Sequence, residues 1–178
     1  MRRHSILALL TLSAACTATQ GSQDTAVAGV DIQRRQLEWQ RTTLLAMADS
    51  MPETLYRDRV TPEQRDFAQQ IHHAAEFIAF ISGRFMADSA PTLPDTATAL
   101  NSAAGMASYL NAVYDFAVAA LGNQSAEDRA AEVEFFGLGQ KPKWELWDQA
   151  YLHTVWTAGQ IVANFRKHGM APPEFVFF

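Results

Sequence analysis

Four long stretches rich in Ala, Leu, Gln, Glu and Arg, separated by Pro or Gly clusters, constrain the fold of this chain more than any other feature. Such a pattern predicts an all-α fold, a four-helix bundle, with each break where a helix cannot continue. The first segment, residues 32 to 50, supplies Leu37, Trp39, Leu44, Leu45, Met47 and Ala48 as its apolar surface and stops before Pro52. The second opens at Thr61-Pro62-Glu63-Gln64, with Thr61 as cap, proline at the first helical position and Gln64 at the capping-box position. Phe67, Ile71, Ala74, Ile78, Ile81 and Phe85 then recur at helical spacing. After Pro91 and Pro94, Asp95 caps a third helix over residues 96 to 121. The fourth covers residues 143 to 167 and ends at Gly169, suited to the left-handed position that closes a helix, with Pro172 and Pro173 beyond it. Between the last two, Ser125-Ala-Glu-Asp128 starts a short helix, and residues 135 to 142, with two glycines and a proline, read as a loop. The apolar tail, residues 175 to 178, is expected to fold back over the bundle end.

At 178 residues, 48% of them hydrophobic, the chain suffices for one domain. Its beginning reads differently from the rest. Arg2 and Arg3 precede an apolar run from Ile6 to Leu12, then Ser13-Ala14-Ala15 and Cys16, the layout of a secretory signal over residues 1 to 15. The run is shorter than the ~20 residues that span a bilayer. Ser-Ala-Ala-Cys after leucines resembles a bacterial lipoprotein box with Cys16 as the lipidated residue; cleavage near Ala15 or Ala18 without lipid is the other reading. Residues 17 to 29 are small and polar with no apolar face, as in a flexible tether, so the domain is placed at residues 30 to 178. The expected location is the periplasm or cell envelope, with membrane attachment only through a lipid anchor.

Cys16 is the only cysteine, which excludes an intrachain disulfide and a cysteine-based zinc cluster. The formal charge is −5, and removing Arg2 and Arg3 with the signal makes it more negative. Lys and Arg are scattered, so no basic surface suited to nucleic acid is expected. No Gly-x-Ser-x-Gly, phosphate loop or dinucleotide fingerprint occurs.

Histidines are the remaining candidates. At about 100° per residue, His73 lies beside Phe77 and Phe80 at the flank of the second helix's apolar stripe, while His72 points away from it. His153 lies off the stripe formed by Trp144, Trp147, Tyr151, Val155, Val162 and Phe165, on a face with Gln149, Trp156, Thr157, Gln160 and Asn164. That face is either solvated or the wall of a polar groove, and Trp156 in its middle favours the groove.

The stretch Tyr151-Leu-His153-Thr-Val-Trp156-Thr157-Ala-Gly159-Gln160, followed by Gly169 and Pro172-Pro173, resembles the last helix of DinB-like (YfiT-like) four-helix bundles, with its His-x-x-x-His-x-Gly-Gln motif. Met51-Pro-Glu-x-x-Tyr56, Thr61-Pro62-Glu63-x-Arg65-x-Phe67 and Gln70-x-x-His73-x-Ala75-Glu76 resemble the first two helices of the same family, so the likeness spans residues 32 to 175. The resemblance implies a divalent metal, zinc or nickel, held by a histidine of the second helix and two histidines four apart on the last. Residues at i and i+4 share a helix face, and a facing imidazole completes a three-nitrogen site open to water. His73 and His153 match two of these ligands, and Thr157 stands at the third. Glu76 or Asp115 would have to replace the missing donor.

Three functions follow. One is a binding protein for a small-molecule ligand, with a degenerate metal site and a pocket of Trp156, Thr157 and Gln160. The second is a metal-dependent hydrolase or thiol-dependent transferase using His73 and His153, as the resemblance implies. The third is a structural bundle that forms a homodimer through a helix face.

Overall fold

The computed structural model describes residues 13–176, with side chains from residue 29 onward. Most of the expected signal, residues 1 to 12, and the side chain of Cys16 lie outside the described residues. The first helix, α1 (Ser13–Ser50), begins well before residue 32, so the span expected as a tether, residues 17 to 29, is helical. That span holds no proline, and its two glycines, Gly21 and Gly29, each cost a helix only about 1 kcal/mol.

α2 (Phe67–Ile81) starts later than Thr61. Thr61 accepts only a turn bond from Gln64, whereas Asp66 and Gln69 form a complete capping box, with Gln69 N donating to Asp66 Oδ1 (2.8 Å) and Asp66 N to Gln69 Oε1 (3.1 Å). Two further donors of the first turn are taken by the incoming chain, Phe67 N by Asp58 O and Ala68 N by Tyr56 O. The loop itself thus satisfies the groups that a helix start leaves open. Beyond Ile81 the chain widens into a π turn, Ser82–Met86.

The expected third helix is two helices, α3 (Thr96–Asn101), capped by Asp95 as predicted, and α4 (Ala103–Asn123). Ser102 is extended (φ −150°, ψ 149°) and caps α4 through Gly105 N at 3.0 Å, while Ala103 N donates to Glu53 Oε1 at 2.7 Å. These competing partners for the new helix start explain a break that no proline or glycine run announces. α5 (Ala126–Ala130) leads into an antiparallel hairpin, β1 (Glu132–Glu134) and β2 (Gln140–Pro142), where a loop was expected. Its turn places Phe136 (φ 52°), Gly137 and Gly139 at positive φ. α6 (Lys143–Lys167) ends as predicted, with Gly169 at φ +68°.

The four long helices share one apolar core. α2 packs on α6 and α4, and α1 packs on α4 and α6, so α1 and α2 sit diagonally although they are consecutive. The connection between them therefore crosses one end of the core and is anchored there by a few buried side chains. Met51 and Tyr56 are inaccessible, with the Tyr56 hydroxyl donating to Ala48 O (2.6 Å). Asp58 fastens this connection to the end of α6 through Lys167 Nζ (2.6 Å) and His168 Nε2 (2.7 Å). The C-terminal tail lies along the side of α1, where Trp39 Nε1 donates to Val176 O and Phe175 meets the Trp39 ring edge-on at 5.6 Å.

Candidate functional site

The seam between α2 and α6 brings the two predicted histidines together. Their ring centroids are 4.9 Å apart and nearly perpendicular, and Phe77 covers the His153 ring at 4.2 Å. The seam is possible because α6 buries a stripe different from the one its largest side chains suggest. Leu146, Trp147, Ala150, Thr154, Thr157, Ala158, Ile161, Asn164 and Phe165 face inward. Trp144 and Val155, expected on that stripe, are exposed, and Tyr151 and Val162 are only half-buried. Small and polar inward residues let α2 approach closely, and His153, one position before Thr154, falls at the stripe's edge.

Thr157 is buried one turn beyond His153, as the site reading required. Gln160 also lies at the seam, where its Oε1 accepts from Gln70 Nε2 at 2.9 Å. Trp156 does not. It is 75% exposed, next to Leu152 at 57%, so it belongs to an outer face. Its angular offset of about 60° from His153 carries it past the groove edge. Asp115 is also removed from the site, since its carboxylate pairs with Arg41 of α1 at 2.8 Å. Glu76 remains near, 3.9 Å from His73 Nδ1.

His72 corrects a further expectation. It stacks on Tyr109 at 4.5 Å, is half-buried, and lines a shallow cleft of about 330 Å³ with Arg65, Gln69, His73, Glu76 and Leu100. The sequence signal for this role was Tyr109, which α4 presents to α2, but helical spacing within α2 alone does not reveal it.

No family model matches this chain, and no curated protein matches it either.

The electrostatics of the seam favour neutral imidazoles. Burial depresses the His153 pKa to about 4, helped by the nearby positive charges of His73 and Arg65. Burial, and then Arg65, also lowers His73, against the opposing pull of Glu76. His153 Nδ1 is buried without a hydrogen-bond partner, a costly state unless something outside the chain satisfies it. Neutral imidazoles with a free nitrogen suit a metal as ligands, but the donor set is short. Among the described residues no three His, Cys, Asp or Glu gather to hold an ion, and a neutral threonine hydroxyl at residue 157 is a weak substitute for imidazole. The chain's own residues therefore do not fit a three-ligand metal centre.

The depressed histidine makes a pH prediction. Because the folded pKa of His153 lies at about 4 and the unfolded value near 6.5, the unfolded chain binds more protons between them, so stability falls as pH drops through that window. His153→Gln is expected to flatten the dependence of the urea midpoint on pH between about 6.5 and about 4. An unchanged slope would show that His153 is not held neutral.

Proposed function

We propose that this chain is an exported, lipid-anchored four-helix bundle of the DinB-like kind whose α2–α6 seam binds a small ligand rather than housing a complete catalytic metal centre. The order and spacing of the motifs around Tyr56, His73 and His153 support the family reading, and the four long helices around one core are compatible with it. One observation carries the binding reading: His153 Nδ1, buried and without a partner, sits against His73 while Thr157 takes the place of a third ligand. A ligand with a polar group aimed at that nitrogen would satisfy it, and His73, whose ring meets His153, also lines the cleft beside α2.

A divalent metal on His73 and His153 alone, with solvent in its other positions, is the second reading, favoured by the contact of the two imidazole rings. When bound, such a metal would activate water or a thiol for hydrolysis or transfer. Calorimetric titration with zinc and with nickel separates the two. The binding reading expects no stoichiometric tight uptake, and thermal-shift screening should yield small polar stabilisers whose effect disappears in His153→Ala. Saturation at about 100 times Kd would add about 2.7 kcal/mol. Tight stoichiometric metal uptake, lost in His73→Ala, would instead establish the metal reading.

A further inference from the structure

A second cleft lies at the far end of α2, bounded by the π turn, the end of α4 and the hairpin. Its volume is about 680 Å³, within the range of roughly 300–1,000 Å³ typical of small-molecule sites. The π turn Ser82–Met86, which closes α2, forms one wall. The wall is firmly built. Ser82 Oγ is buried and donates to Ile78 O at 2.7 Å. Gly83 lets the returning chain press against the turn, since a Cβ there would stand 3.0 Å from Pro91 Cδ and 3.3 Å from Ala90 Cα. Met86 at the base accepts from Gln124 Nε2 (3.4 Å), and Gln124 Oε1 in turn accepts from Trp147 Nε1 (2.9 Å). Two helices and the turn are thereby locked in one arrangement, as a preorganised site requires.

The charges lining this cleft define what it takes. Lys143 is already neutralised by Asp128. Arg84 and Asp88 also line the cleft, and neither has an ion pair or hydrogen bond from another described side chain. With the Lys143–Asp128 pair neutralised, a simple anion drawn to Arg84 would meet Asp88, and a simple cation drawn to Asp88 would meet Arg84, so a ligand of single sign is opposed by one of them. A molecule bearing both signs is matched on both. Phe116, Ala120 and Val133 supply apolar surface between them.

We propose that this cleft is a binding site for a small zwitterion with an apolar body, a free amino acid or short peptide, its carboxylate on Arg84, its ammonium on Asp88 and its side chain toward Phe116 and Val133. The proposal goes beyond the histidine seam and does not depend on it. The probe is the dipeptide alanyl-phenylalanine, titrated into the purified protein by calorimetry, with its N-acetylated, C-amidated form as control. Saturable binding is expected with a Kd of about 1 mM or tighter. Arg84→Gln and Asp88→Asn, both at exposed positions, should each weaken it about tenfold, the blocked dipeptide should not bind, and His73→Ala should bind as the parent does. Absence of saturation, equal binding of the blocked form, or affinity unchanged in both variants would overturn the assignment. Loss of binding in His73→Ala would overturn it too, by placing the peptide in the histidine cleft.

Discussion

Replacing Phe67 with alanine is expected to remove about 3–5 kcal/mol of folding stability. Phe67 is the first residue of α2 and is inaccessible to solvent. Its ring meets Tyr56 at 5.3 Å and, edge-on, Phe165 at 5.7 Å, so one side chain joins α2, the connection after α1, and α6. Loss of the ring leaves a cavity among elements that cannot close in. The start of α2 is pinned by the Asp66 capping box and by the ion pair of Asp66 with Arg57 (2.9 Å), and the connection is pinned by Asp58. The upper part of the range therefore applies. A urea titration measures it as a lower midpoint at constant slope; a loss below about 1 kcal/mol would show that the site collapses freely.

Gly105→Ala should also destabilise, by about 1–3 kcal/mol, against the usual sign. Within a helix, alanine normally gains about 1 kcal/mol over glycine. At Gly105 a Cβ would lie 2.4 Å from Thr98 O and 2.7 Å from Thr98 C, backbone atoms of the preceding helix that cannot rotate away. Gly122, in the last turn of the same α4, has open space around its Cβ position. Gly122→Ala should therefore stabilise by a few tenths up to about 1 kcal/mol. Opposite signs from the same substitution in one helix would establish that the α3–α4 corner is a close backbone contact. A shared sign would refute it.

Much of the helical organisation was legible because helix periodicity and stop signals are local. The spacing of Phe67, Ile71, Ala74, Ile78 and Ile81 marks the buried side of α2, and Gly169 closes α6 in the left-handed conformation. What escaped depends on partners distant in the chain. Ser102 divides a continuous alanine-rich run because Glu53, some fifty residues earlier, offers a carboxylate to Ala103 N. Asp66 prevails over Thr61 as the cap of α2 because Asp58 and Tyr56 fold back onto the same helix start. At the site, His73 and His153 were located from spacing and family likeness together, and they do meet. Trp156 misled because a large aromatic side chain reads as buried, whereas at this level of α6 the inward positions fall on Thr154, Thr157 and Ala158.

The diagonal placement of α1 and α2 has a consequence for how the chain matures. α1 finds its packing partners chiefly in α4 and then in α6, and scarcely in α2. As synthesis proceeds from the N-terminus, Leu37, Leu44 and Met47 find little cover in α2, the next long helix, and wait for α4 (Ala103–Asn123). The apolar stripe of α1 therefore stays available to chaperones while α2 and α3 are being made.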